Sequence, residues 1–179
     1  SPSHTIIDPF QTEHFSNTGI ANLESAGFNF YRFFEEGSEY KLPEIAANEA
    51  GSFDLVFIDG YHTFDHTLLD MFYANKLIKK DGFIVVDDCN MPGVSKAVSY
   101  FMNYPVYNLH SMVSRGKKGR FLKSTARRLA RNKLIDSFCS NVLPHYLHDR
   151  YFTKIKFESM VALQKVAEDS RPPNWFEPF

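Results

Sequence analysis

Cysteine is nearly missing from this chain: Cys89 and Cys139 are the only two, and neither sits in a C-x-x-C spacing. That scarcity argues against a disulfide framework and favours a reducing compartment. No stretch approaches the roughly 18 apolar residues that a membrane span requires, and no signal-peptide pattern opens the sequence. The expectation is therefore a soluble, cytoplasmic protein. Net charge is also close to absent, at −1, so the overall balance selects no class of charged partner. Internal repeats are missing as well.

What is present is apolar and aromatic. Of 179 residues, 44% are hydrophobic, with 18 Phe and nine Tyr, enough for one domain, 1–179, to bury a core unaided. Two runs stand out: Phe53-Asp54-Leu55-Val56-Phe57-Ile58-Asp59-Gly60 and Phe83-Ile84-Val85-Val86-Asp87-Asp88. Each is a run rich in apolar and β-branched residues that stops on acid, as expected of a strand buried on both faces in a parallel sheet. Residues 63–80 between them have a helical pattern, which makes a strand–helix–strand unit with right-handed crossover. Both acidic ends then fall on one carboxyl edge of the sheet, where open α/β folds bind ligands.

The remaining pattern extends the same architecture. His4 to Asp8 reads as a short strand stopped by Pro9. Residues 15–26 read as a helix with Phe15, Ile20 and Leu23 at helical spacing and Gly27 as its C-terminal signal. Phe28 to Phe34 reads as a strand, and Leu42 to Asn48 as a short helix after Pro43. In the helix at 63–80, Phe64, Leu68, Met71, Phe72 and Ile78 share one face, with Asp65, His66, Asp70 and Lys76 opposite. Pro92 at a first-turn position starts a helix to about Asn103. Strands are expected at Val106 to Val113 and from Glu158 to Val166, followed by an irregular tail docked through Trp175.

One segment breaks the pattern. Of the 20 Lys and Arg, nine lie in residues 115–133, which hold no acid, leaving eleven against 21 acids elsewhere. Arg115, Lys117, Lys118, Arg120, Lys123, Arg127, Arg128, Arg131 and Lys133, above Phe121, Ala126, Leu129 and Leu134, suggest a basic amphipathic helix within an insertion at about 114–150. It is read as a substrate-recognition lid, with a solvated charged face, anionic lipid and nucleic-acid backbone as the other readings.

The ordered set of strand–Asp8, strand–Gly37-Ser38, strand–Asp59-Gly60-Tyr61-His62, helix, Asp81-Gly82 and strand–Asp87-Asp88 resembles class I S-adenosylmethionine-dependent methyltransferases. Within them it looks most like the metal-dependent O-methyltransferases of catechol and macrocin type. The likeness covers roughly residues 4–112. It implies an α/β, Rossmann-like, doubly wound, mostly parallel sheet with flanking helices. In that family a first strand and its Gly-rich loop precede the segment beginning here at His4, and the strand lies between those ending at Asp8 and Asp59. The expectation is an N-terminally incomplete fold whose sheet is split where that strand belongs, with backbone groups left to pair elsewhere.

The resemblance also assigns roles. Asp59, Asp87 and Asp88 map onto the oxygen ligands of a divalent metal. Neighbouring strands lie about 4.8 Å apart, so terminal carboxylates can converge on one hard cation, with Mg²⁺ expected and Mn²⁺ or Ca²⁺ as alternatives. Consecutive Asp87 and Asp88 would point to opposite faces of a strand, so the chain must turn at Asp88. The plainer reading is that one acid caps a turn and another is solvated. Asn90 is a further candidate ligand. His62 maps onto a general base or a substrate-contacting group, with Asp59 also expected in catalysis; the pKa near 6.5 of an ordinary histidine suits a base. The alternative is a histidine that orders the loop, or N-caps the next helix with Thr63. Asp8 maps onto the acid that accepts ribose hydroxyls, against a turn acid before Pro9. Gly37 and Ser38, with Asp59, complete the expected cofactor contacts, against a plain turn at 37–38.

The function expected is metal-assisted methyl transfer from S-adenosylmethionine to a hydroxyl of a small molecule or sugar. A non-catalytic methyltransferase-like binding module and an RNA-contacting methyltransferase are the rivals, although basic patches outside 115–133 are lacking. A homo-oligomer is compatible with the sequence.

Overall fold

The structure, a computed structural model, describes residues 4–113 and 159–176. The basic segment and its proposed insertion lie outside them. The elements run β1 (His4–Ile7), α1 (Thr18–Ser25), β2 (Tyr31–Phe34), α2 (Ser38–Glu49), β3 (Phe53–Ile58), α3 (Phe64–Leu77), β4 (Ile78–Val86), α4 (Pro92–Phe101), β5 (Tyr107–Val113) and β6 (Met160–Lys165). β1 pairs with β2 in a two-stranded parallel sheet, and a second sheet has the order β3-β4-β6-β5. β3 and β4 are parallel, whereas β6 runs antiparallel to both β4 and β5. Among the described residues no ladder joins β1 to β3, and the two sheets part at the expected place. α2 spans the split, with Ile45 and Ala46 packing among Ile7 and Phe34 on one side and Phe53 and Val56 on the other.

The main core lies under one face of the four-stranded sheet. Ile84, Val86, Val161 and Leu163 are almost fully buried there against Met71 and Ala74 of α3 and Val94, Ala97, Val98 and Phe101 of α4. The opposite face differs from expectation. Leu55 and Phe57 are about half exposed, so β3 is not covered on both sides by the described residues. The apolar run signalled a strand; it did not require that both faces be covered within the described chain.

Other departures are local. Phe15 precedes α1 in a run of turns and is exposed, because Ser16 and Asn17 adopt left-handed backbone (φ 48° and 59°) and the helix begins only at Thr18. Gly27 does end the helix, at φ 79°. The strand β2 is shorter than expected, and Phe28 and Phe30 lie exposed before it, edge to face at 5.6 Å. α2 is longer than expected and carries Pro43 in its interior. Proline removes one helical N–H there, and the burial of Lys41, Ile45 and Ala46 holds the helix together. Lys41 Nζ bonds Glu36 and Glu44 and sits over the Phe34 ring.

α3 is rotated relative to its hydrophobic pattern. It buries Thr67, Asp70, Met71, Ala74, Asn75 and Leu77, while Phe64 and Phe72 are exposed, and Ile78 belongs to β4. The polar residues on the inward face explain the rotation. Asn75 accepts a bond from the Tyr107 hydroxyl (2.7 Å) and donates to Asp169 (2.8 Å). The almost fully buried Lys165 ammonium donates to the Asn75 and Ile78 carbonyls, closing the end of α3. Arg171 makes a forked pair with Asp169 and stacks on Tyr104, and Trp175 packs edge-on against the same ring. The tail is therefore docked, through Arg171 as well as Trp175.

Phe101 has no exposed surface and stacks on Tyr104 with ring centroids 4.4 Å apart. Phe101→Ala should lower unfolding free energy by about 3–5 kcal/mol, read from the urea midpoint at unchanged slope.

Candidate functional site

Parallel pairing of β3 with β4 sets Ile58 opposite Val86, so both strands end at the same level. The Asp87 N–H donates to the Ile58 carbonyl at 3.0 Å, which fixes the two acidic ends side by side. Asp88 then turns out of the strand with φ 48°, the change of direction that the Asp-Asp pair demands. Short polar side chains tolerate this left-handed conformation better than most, though it remains a strained choice outside glycine. Asp87 is buried, and its Oδ1 accepts the Asp88 N–H at 2.7 Å, bracing that turn.

The outcome is a cluster of ligand-type atoms. Asp59, His62 and Asp88 each present one such atom, all within 4.8 Å of one another. His62 Nε2 lies 3.2 Å from Asp88 Oδ2 and 3.7 Å from Asp59 Oδ1, between the two carboxylates. Burial, followed by the charges of Asp87 and Asp88, pushes the Asp59 carboxyl above its ordinary range, and His62 pulls it the other way. Asp87 thus acts on Asp59 through its charge but stands outside the cluster itself. Two carboxylate oxygens and an imidazole nitrogen converging with solvent access are a donor set that suits a divalent cation. Asn90 is exposed in the turn that follows.

Thr63, not His62, caps α3: its hydroxyl accepts the His66 N–H at 3.5 Å and meets His66 Nδ1 at 2.9 Å. Across the split, Asp8 closes a turn, its Oδ1 accepting the Phe10 N–H (2.9 Å) and its Oδ2 the Gln11 side chain (2.8 Å). Each oxygen retains a second acceptor site. Phe10 meets Tyr61 edge to face at 6.2 Å, and Tyr61 in turn lies 4.9 Å from His66, so aromatic rings link the Asp8 loop to the Asp59 loop. Gly37 is the N-cap of α2 and Ser38 its first residue, so these two form a helix start and not a plain turn.

Asp70 was placed on the solvent face by the sequence pattern, yet it is buried against this edge. A side chain at Gly60 would come within 3.4 Å of its Oδ2, and its Oδ1 has no hydrogen-bond partner among the described residues. Burial raises its carboxyl, opposed by the Ser38 side chain. No periodicity could have found it; only the closeness of α3 to the loops at 37–38 and 60 reveals it. Cys89 is fully buried, and burial pushes its thiol up to about 12, so it is inert at neutral pH.

Residues 2–89 match the model of a family described as a methyltransferase domain. Among solved structures, a protein from Corynebacterium glutamicum superposes with a TM-score of 0.53 at 14% identity, covering 93% of this chain and 62% of that one. Cofactor-bound Rv0187 from MTB gives 0.54 at 14%, covering 92% and 61%. An O-methyltransferase from Bacillus cereus in complex with SAH gives 0.53 at 15%, covering 65% and 69%. No curated protein matches the chain by sequence. At these identities the structural likeness is one of fold, and the chain spans 62% and 61% of the first two structures. The chain thus resembles class I methyltransferases in the family of its residues 2–89 and in its Rossmann-like α/β fold.

The raised Asp59 carboxyl has a consequence for stability. A carboxyl with a raised pKa is an ionised burden on the folded state above that pKa, relieved as it takes up a proton. Asp59→Asn should therefore raise the melting temperature at pH 7 in EDTA. The gain should shrink as pH falls through the raised pKa and vanish below the ordinary carboxylate range.

Proposed function

We propose that the protein transfers a methyl group from S-adenosylmethionine to a hydroxyl of a small molecule or sugar, assisted by a divalent cation at the carboxyl edge of β3 and β4. The observation that carries this reading is the convergence of Asp59, His62 and Asp88 within 4.8 Å at that edge. The family match over residues 2–89 supports the transfer chemistry, and the B. cereus structure, an O-methyltransferase in complex with SAH, supports the cofactor class and an oxygen acceptor.

Asp59 and Asp88 would hold the cation, Mg²⁺ or Mn²⁺, and Asp87 keeps the Asp88 turn in place through its bond to the Asp88 N–H. Such a cation, when bound, lowers the pKa of a hydroxyl beside it. His62 is the proton acceptor in this reading, since Nε2 lies within reach of a hydroxyl directed at the two carboxylates. The acceptor oxygen forms its bond to the methyl carbon as the carbon–sulfur bond breaks, and the hydroxyl proton passes to His62 Nε2. Asp8 would accept the ribose hydroxyls through the acceptor sites left by Phe10 and Gln11, and Gly37-Ser38 would meet the base at the start of α2. Vicinal hydroxyls or a catechol suit two open positions on such a cation. Tyr61 and Met91 on the loops beside the cluster, and Phe64 at the start of α3, are exposed and would give the acceptor an apolar rim.

The test uses the intact protein with S-adenosylmethionine, Mg²⁺ or Mn²⁺ and a panel of catechol and sugar acceptors. Asp88→Asn keeps the turn but removes a charge, and should weaken Mn²⁺ binding at least about tenfold by calorimetry and abolish cation-stimulated transfer. Undiminished transfer in EDTA would reject the metal role, and absent binding of S-adenosylmethionine would reject the reading as a whole.

A further inference from the structure

Just beyond the Asp88 turn, the chain comes close to the His62–Phe64 backbone at a glycine. Gly93 is the second residue of α4, five residues beyond Asp88. A Cβ at this position would lie 2.8 Å from the His62 carbonyl oxygen, 2.9 Å from the Phe64 nitrogen and 3.1 Å from the Thr63 carbonyl carbon. All three are backbone atoms, so no side chain can turn aside to make room. Only glycine permits this approach.

The span from Asp88 to Gly93 is itself held. The Met91 N–H donates to the Asp88 carbonyl at 2.8 Å, the Cys89 N–H donates to the Ser159 carbonyl at 2.9 Å, and Pro92 starts the helix with its φ fixed. On the other side, Thr67 donates to the Thr63 carbonyl and Thr63 caps α3, so the loop at 62–64 is held to its helix. With both loops braced, their backbone contact at Gly93 sets how far His62 stands from Asp88.

We infer that Gly93 is a positioning residue: by letting the first turn of α4 rest on the His62–Phe64 backbone, it places the His62 imidazole between Asp59 and Asp88. Its role in catalysis rests on the proposed function of His62 as proton acceptor; the placement itself does not. A substitution at Gly93 pushes the loop outward and carries the imidazole away from the carboxylates. Because alanine favours a helix over glycine, Gly93→Ala has no helical penalty of its own, and a loss reports the contact.

The test measures the rate at which diethyl pyrocarbonate modifies each histidine of the intact protein in EDTA, by peptide mass spectrometry. In Gly93→Ala, His62 should react several-fold faster while His14 and His110 keep their rates. Turnover should fall about 100-fold with the KM for S-adenosylmethionine little changed, and His62→Ala/Gly93→Ala should be no slower than His62→Ala alone. Val94→Ala trims a buried side chain of the same turn; it should lower the melting temperature without altering His62 reactivity. If Gly93→Ala does not fold, Phe64→Pro, which crowds the same contact from the other side by putting a ring atom on the nitrogen facing Gly93 at a first-turn position that suits proline, must accelerate His62 modification. An unchanged His62 rate, or equal acceleration in Val94→Ala, overturns the inference. Failure of the underlying functional reading shows separately, as His62→Ala turning over like the unsubstituted protein.

Discussion

The parallel pairing of β3 and β4 is the constraint on which the rest depends. Ten apolar residues shared between the two strands, Phe53, Leu55 to Ile58, Ile78 and Phe83 to Val86, take part in the ladder. Its last link, Asp87 to Ile58, ends both strands in step. Without that register the acids at 59 and 88 would stand at different heights, and no single ion or hydroxyl could meet both. The crossover through α3 makes the pairing parallel, and burial of Met71 and Ala74 against Ile84 and Val86 holds the crossover down. A concentration of negative charge is thus imposed by hydrophobic packing beneath it. The strain of that arrangement appears in the raised Asp59 carboxyl and the left-handed Asp88.

Much of this frame could be read from residue order. The two acid-terminated runs, the helix between them and the Pro92 start of α4 follow from patterns whose causes are local, whereas the break in the sheet between β1 and β3 is expected only from the family resemblance. What escaped depended on contacts distant in sequence. The inward face of α3 could not be read because Asp70 and Asn75 look solvent-facing until Tyr107 and Asp169, from far along the chain, supply partners for Asn75. Pro43 reads as a helix start from its own chemistry, yet packing of α2 across the split carries the helix through it.

At the candidate site the residue types were legible and their grouping was only partly so. An Asp-Asp pair announces a turn but not which carboxylate faces the neighbouring strand. The structure separates them, Asp88 joining Asp59 and His62 while Asp87 braces the backbone beneath. From sequence His62 could share the helix cap with Thr63, and the geometry gives the cap to Thr63 alone, leaving the imidazole to the acids. The contribution of Gly93 carries no motif at all. It exists only as an absence of atoms between two backbones.

At the far side of the molecule, the C-terminal stretch is fastened by a different kind of chemistry. Arg171 holds the Asp169 carboxyl down to about 2, and the same carboxylate bonds Asn75, whose carbonyl oxygens serve Tyr107 and Lys165. A depressed carboxyl keeps its charge until acidity nears its own folded value, while the stabilisation it gives declines from the ordinary carboxylate range downward. As a solution is acidified, the raised Asp59 carboxyl at the opposite edge therefore takes up its proton while this fastening is still charged. A moderately acid milieu would disarm one end of the molecule while the other stays buttoned.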